Sequence, residues 1–495
     1  MQTQINLFEF VKYSDKSSKE FEFIKKFKNI FSDDLESVLD IIWDERNKYI
    51  PDKNLYYESS FKKQRFIDFR KDSISPRNWI GTIHFRSSDA EYTINLLPKV
   101  FYKTNYKYNS KDTDSIFAHI LWWLSGSDRQ NFSSMESSLG ALESNFLEVL
   151  VSIFSSYTLE ILSSTSYNYY EPVEEELQTV KGQIDFNSYV KYYSVGNRHI
   201  LPCKFDTFQY DNQFNKIIKY VATILIEFTK IKKTKSNLEE ILFILDEVEL
   251  TSVTYEDCDK VILNPIYTEF KTILDNCRLF LSSLSVYKWK DDYSVFALLI
   301  PSEKLFENFI FGFLTESKDL ISDDIEKIYR QSTVGRSHIA YEKNKPDKRH
   351  FRMYNDIVVK MNNLTAAIID TKYKVIYMEN EEDEEEVIIS NKNNYTIKQS
   401  DIYQMSTYAL TSGILKIGLW YPSTISDSND ESFPIFMIKE ELSGTQKEIE
   451  IHIAKLNIIH ENGLEMNVNG KLETIFQNTK QKLISQLKQV LTELK

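Results

Sequence analysis

"DIVVKMNNLTAAIIDTKYKVI" (residues 356–376) reads as two apolar strands around a polar turn, yet it carries Asp356, Asp370 and Lys372. Side chains two apart on a strand share a face, so Asp370 and Lys372 point the same way. Asp356 joins them from the preceding strand only in one register. A three-residue loop at Asn362–Leu364 sets it opposite Asp370, whereas a two-residue loop at Asn362 and Asn363 sends the two to opposite faces. Two carboxylates converging on one spot repel each other unless a cation lies between them or one is protonated. Such oxygen ligands suit Mg²⁺ or Mn²⁺ together with a substrate phosphate. A lysine one step along can orient or deprotonate a water and offset charge on phosphorus. Solvated strand residues are the alternative on these residues alone.

The run "AAII" (366–369) is wholly apolar, as expected of a central strand buried on both faces. Downstream, "SDIYQMSTYAL" (400–410) predicts a helix with Ser400 as N-cap and Asp401 in its first turn. Gln404 and Tyr408, four apart, then share one face. A surface amide and a core aromatic are the plainer reading of that pair.

Two aspartates and a lysine on adjacent strands, here "ND" at 355–356 and "DTK" at 370–372, resemble the core of the PD-(D/E)xK nucleases. The Q-x-x-x-Y pattern after D-x-K is similar to their RecB-like branch, where the Gln contacts the active-site groups. Such centres often take a further carboxylate from an upstream helix. Glu307 in "KLFENFIF" is the candidate, with Glu303 one turn earlier. A solvent-facing glutamate is the alternative.

Working outward, the 495 residues suggest several domains. Apolar residues make up 42%, enough for real cores, and only 12 Gly and 10 Pro leave little room for flexible linkers. Cys203, Cys258 and Cys277 form no C-x-x-C pair, which points to a reducing cytoplasm rather than disulfides or zinc. No basic-then-apolar leader is evident at the N-terminus, and stretches such as "YVATILIEF" fall short of a membrane span, so no membrane partner is expected. A net charge of −13 disfavours a broad DNA-binding surface, so contact with nucleic acid is local or comes from a partner. The acidic run at 379–386 reads as a solvated loop.

The periodicities predict a multidomain α+β chain. Residues 1–110 form a mixed, β-rich N-terminal extension, with "NWIGTIHF" and "EYTINLLPKVF" as paired strands. Residues 111–290 are mainly helical, interrupted by a strand-like insert at 177–186. Residues 291–495 alternate strands and helices as an α/β domain with a mixed central sheet. No P-loop occurs. "NGKLE" (469–473) has Leu472 where a hydroxyl would ligate Mg²⁺, so the chain is not expected to hydrolyse nucleotides itself.

Taken in order, "DSIFAHILWWLSG", "TVKGQIDF", "LPCKFDTFQYDNQFNKIIKYVATIL", "KLFENFIFGFL", "NDIVV", "AAIIDTKYK", "DIYQMSTYAL" and "GLWYP" resemble McrC-like nuclease subunits of McrBC-type modification-dependent restriction systems. Asn355 stands where the usual motif has proline, and the acidic insert lengthens the loop after the catalytic strand. The resemblance implies a PD-(D/E)xK nuclease domain at 291–495. Asp356, Asp370, Lys372, Gln404, Tyr408 and Glu307 would be its catalytic set. Asp356, Asp370, the Thr371 backbone carbonyl and Glu307 would hold Mg²⁺ or Mn²⁺. It also implies that cleavage needs an McrB-like AAA+ ring, which binds GTP, recognises modified DNA and translocates it. Residues 111–290 would enter the ring's pore and stimulate GTP hydrolysis, with Arg129 and Arg198 as candidate effectors, while Cys203 packs in a core. Residues 1–110 resemble the extension of longer members and carry no assigned role. A catalytically inactive scaffold and NTPase activator, or a free-standing RecB-like nuclease, are the competing readings. The intact Asp356, Asp370 and Lys372 argue against the first, and the long helical region against the second.

Overall fold

The β-branched and aromatic residues of Trp79–Arg86 and Glu91–Leu97 pair antiparallel, from Gly81 opposite Leu96 to Arg86 opposite Glu91, as expected of paired strands. In this computed structural model the described residues are 2–14, 19–31, 33–48, 63–86, 90–127, 146–165, 167, 169–263, 268–289, 293–332, 334, 338–361, 364–374, 387–388, 397–427, 435–440, 447–468 and 470–494. The acidic run at 379–386, Arg129 and the turn at 87–89 lie outside them.

The chain divides into two units, Met1–Val149 with Ser283–Lys495, and Leu150–Ser282. In the first, Gln2–Phe8 lies parallel to Glu91–Leu97, while Tyr293–Pro301 and then Leu284–Trp289 extend the other side of a five-stranded sheet. Gly81, at φ +136°, lets the strands cross closely, since a Cβ there would stand 2.0 Å from the carbonyl oxygen of Leu298. Helices Lys19–Phe31 and Leu35–Lys48 contribute Phe27, Phe31, Leu39 and Trp43 to one core with Ile83, Phe85, Ile94 and Val295 of the sheet.

The two units divide elsewhere than at 110/111 and 290/291. The break at 290/291 falls inside the hairpin of Leu284–Trp289 and Tyr293–Pro301, whose partner is the N-terminal sheet. The break at 110/111 falls at the start of helix Ser110–Ser125, where Asn109 and Asp112 form a reciprocal cap. That helix is buried almost all round and needs cover on every side. It finds part of that cover near the C-terminus. Trp122 stacks on Phe476 at 4.6 Å, and Trp123 Nε1 donates to the Ile458 carbonyl at 3.0 Å.

A second, six-stranded mixed sheet in this unit runs Ile325–Ser332, Asn355–Met361, Leu364–Thr371, Lys416–Pro422, Lys447–Leu456, Ile435–Glu440. Leu364–Thr371 is parallel to Lys416–Pro422, and helix Gln399–Ser412 makes the crossover. Ala367, Ile368 and Ile369 are at most 1% exposed, so this strand is buried on both faces as its apolar run predicts.

In the second unit, helix Gln213–Phe228 buries Phe214, Ile217, Ile218, Val221 and Leu225 along one stripe. The insert is larger than its sequence signal. Tyr169–Leu177, Leu201–Gln209 and Gln183–Ile184 form a three-stranded antiparallel sheet. Gln183–Ile184 stops after two residues because Asp185 caps helix Phe186–Ser194. Cys203 is buried, as expected. Helix Phe146–Ser164 corrects the expectation of no spanning-length apolar segment. It is long and apolar enough to cross a membrane by composition, but 61% of its apolar window is buried within the protein, which reads as a core helix.

Candidate active site

The hairpin within residues 356–376 reaches the register that brings Asp356 beside Asp370 by a route other than a three-residue loop. Its strands end at Met361 and resume at Leu364, so the connection is the two residues 362–363, themselves outside the described set. Met361 pairs with Leu364 and Lys360 with Thr365, which would put the aspartates on opposite faces. Val359 then pairs with Ala367, and this one-residue bulge restores Ile357 opposite Ile369. Asp356 and Asp370 follow next in register on a common face. A bulge, not a three-residue loop, brings them together.

Asp370 is completely buried, and Lys372 Nζ lies 2.6 Å from its Oδ2. Asp356 Oδ2 accepts from the Thr371 amide at 3.0 Å and from its hydroxyl at 3.3 Å. Helix Gln399–Ser412 presents Gln404, whose Oε1 accepts from Lys372 at 3.1 Å and whose Nε2 donates to Asp370 Oδ1 at 3.3 Å. The same Nε2 donates to the Tyr408 hydroxyl at 2.7 Å, which in turn donates to the Tyr354 carbonyl at 2.8 Å. The helix starts at Gln399, ahead of the expected Ser400 cap, because the short strand Ile397–Lys398 runs directly into it. Asp401 is buried in an ion pair with Lys374, at 2.7 and 2.9 Å.

Glu307 comes from helix Ser302–Ile321 and is 4% exposed, which excludes the solvent-facing reading. Lys304 Nζ reaches its oxygens at 2.8 and 2.9 Å, Arg330 Nε stands 3.5 Å away, and Gln331 Nε2 donates at 3.3 Å. Gln331 holds φ +44°, a left-handed conformation rare for a residue with a side chain. Glu303 is elsewhere, accepting from Asn78 Nδ2 at 2.9 Å. Asn355, in the place of the usual proline, is buried in the strand and donates to the Ser332 carbonyl at 3.1 Å, tying two strand ends together. The residues that the sequence reading missed are Lys304, Arg330 and Gln331. Only Lys304, three before Glu307 on a helix, had a local signal.

Burial, then the charges of Asp370 and Glu307, hold the Asp356 carboxyl well above the usual carboxylate range. Burial also raises Asp370, against the pull of Lys372. Burial alone would lower Lys372, but the Asp370 charge holds it above its ordinary value. Burial and the Asp370 charge push the Tyr408 hydroxyl up to about 12. Three carboxyl groups that feel one another's charge, with Lys304, Lys372 and Arg330 beside them, form a hard-oxygen donor set. Among the described residues no three His, Cys, Asp or Glu side chains form a ready-made metal cage.

A family profile described as "McrBC 5-methylcytosine restriction system component" matches residues 74–422, more than half of the chain. The chain belongs to the McrBC family. Its fold is similar to that of a chain in a half-complex from a tetradecameric assembly of Thermococcus gammatolerans McrB AAA+ hexamers with bound McrC. The TM-score is 0.53 at 14% identity, covering 96% of this McrBC-family chain and 99% of the other. A chain of the Thermococcus gammatolerans McrBC complex matches with TM-score 0.42 at 16% identity, over 64% and 88% of the two. No curated protein matches significantly.

Proposed function

We propose that this McrBC-family chain is the DNA-cleaving subunit of a restriction complex, a metal-dependent endodeoxyribonuclease of the PD-(D/E)xK type. The observation that carries the reading is the convergence of Glu307, Asp356, Asp370 and Lys372 at one end of a mixed sheet, with Gln404 touching both Asp370 and Lys372. The donor chemistry fits Mg²⁺ or Mn²⁺, which Asp356, Asp370, the Thr371 carbonyl and Glu307 would hold. When bound, the cation supplies charge neutralisation at the phosphate and acidifies water. Lys372, kept protonated by Asp370, offers a fixed positive charge to the phosphodiester, and Gln404 holds its ammonium in place.

The chain has no P-loop of its own, so nucleotide hydrolysis falls to an McrB-like AAA+ GTPase ring, which also reads the modified DNA. The insert of the second unit suits contact with that ring. It exposes Phe186 (67%), Val190 (63%) and Val195 (72%), and Arg198 is exposed beside them over the ring of Tyr193 at 4.6 Å. The three buried, free cysteines suit a reducing cytoplasm.

The test compares wild type with Asp370→Ala in cleavage of modified plasmid DNA, with Mg²⁺, GTP and the ring protein present. Loss of cutting with stimulated GTP hydrolysis intact supports the reading. Stimulation by a wild type that never cuts replaces it with the scaffold.

A further inference from the structure

Between Ile325–Ser332 and Asn355–Met361 the chain puts out a two-stranded hairpin, His338–Glu342 paired with Lys345–Arg352. Ser332 pairs with Asn355, so the hairpin leaves the sheet at the end where Asp356 begins its strand. In a chain of net charge −13, residues 338–352 carry Lys343, Lys345, Lys348, Arg349 and Arg352 against only Glu342 and Asp347. Lys343, Lys345, His350 and Arg352 are exposed. Glu342 is itself engaged across the hairpin by His350, at 3.2 Å. Ile339 and Tyr341 are 56% and 67% exposed.

Lysines on an exposed strand can serve merely to block edge pairing. That role does not call for an exposed isoleucine and tyrosine beside them. A basic two-stranded ribbon with an exposed aromatic has the width and charge to lie against a nucleic-acid groove.

The base of the hairpin is anchored in the site. Met353 is buried with Ile368, Met405 and Tyr408, and the Tyr354 carbonyl accepts a hydrogen bond from the hydroxyl of Tyr408, which Gln404 contacts. Arg352 stacks its guanidinium 4.8 Å from the Tyr354 ring. The base of the positive arm is thus one hydrogen bond, through Tyr408, from the Gln404 that touches Asp370.

We propose that the hairpin 338–352 is this chain's own DNA-binding arm, gripping the duplex backbone beside the scissile phosphodiester. The proposal rests on the nuclease reading above and locates the local contact that an acidic chain requires.

The test measures fluorescence anisotropy of a fluorescein-labelled, unmodified DNA duplex with the full chain. Ca²⁺ replaces Mg²⁺ to prevent cutting, and salt runs from about 50 to 200 mM. K343A/K345A/R352A should bind at least about tenfold more weakly at low salt, with a log–log salt slope smaller by about three. The charge-keeping K343R/K345R/R352K should bind as wild type does. Equal affinity and slope for the alanine variant, or no binding by wild type, overturns the proposal. So does a loss of GTPase stimulation with DNA binding unchanged, which would make the hairpin a protein-docking face. If wild type never cuts DNA yet its binding depends on these three charges, the nuclease reading falls and the arm stands.

Discussion

Gln404 donates to Asp370 Oδ1 at 3.3 Å while its own Oε1 accepts from Lys372 at 3.1 Å, so one amide touches both partners of the buried ion pair. Its orientation is set by the bond to Tyr408. Gln404→Ala is expected to lower single-turnover DNA cleavage by about 10–100-fold, the range for partners that orient reacting groups. DNA affinity and GTPase stimulation should hold. Gln404→Glu adds a carboxylate beside Asp370 and should lose more. An unchanged cleavage rate for both would show that the amide has no part in orienting the pair.

Lys304 and Glu307 form the tightest ion pair on the helix side of the site, with Arg330 and Gln331 as further partners of the carboxylate. Lys304→Ala leaves Glu307 buried with weaker company, and is expected to cost about 2 kcal/mol, less than the loss of a sole partner. Replacing both by apolar residues (Lys304→Met with Glu307→Leu) should recover much of that loss. Urea midpoints of Lys304→Met, Glu307→Leu and the double variant check this. Strict additivity would mean that the ion pair contributes nothing of its own.

Glu9 is completely buried, and its Oε2 accepts from the Lys99 amide at 3.2 Å. Burial pushes its carboxyl from an ordinary 4.5 up to about 7. Between these values the folded chain keeps a proton that the unfolded chain has lost. Stability is therefore greatest below about 4.5 as far as this group is concerned, falls as pH rises through the window, and levels off above 7. The total change is ~3 kcal/mol. Glu9→Gln should remove that slope. The difference between variant and wild type in unfolding free energy, measured from pH 4.5 to 8, cancels the other titrating groups. A flat difference would contradict the assignment.

Asp370, Lys372, Gln404 and Tyr408 were legible because spacings of two on a strand and four on a helix fix which side chains share a face, whatever the rest of the fold does. Asp356 was legible in residue but not in route. The bulge opposite Lys360 is one extra residue among apolar neighbours and leaves no mark in the pattern. Arg330 reaches Glu307 only because its strand pairs with Asn355–Met361, a contact that no local pattern encodes. The reach of the N-terminal sheet was hidden for the same reason. Tyr293–Pro301 reads as the start of a new α/β segment, yet its partner is Trp79–Arg86, far away in the chain.

Tyr408 joins the site to the basic hairpin through its hydroxyl, which accepts from Gln404 and donates to the Tyr354 carbonyl. Tyr408→Phe keeps the ring in its core position among Met353, Ile368 and Met405, and removes only the relay. The lost bond is expected to cost about 1–2 kcal/mol, because the Tyr354 carbonyl loses a donor in partly buried surroundings. The effect should be local. Hydrogen exchange should speed up in residues 350–354 and stay unchanged in helix Gln213–Phe228. If the hairpin base loosens, the arm and Gln404 lose their common anchor, and cleavage should fall more steeply than stability does. Unchanged exchange at 350–354 would mean that the buried Met353 alone holds the base, and the hydroxyl would then matter only to Gln404.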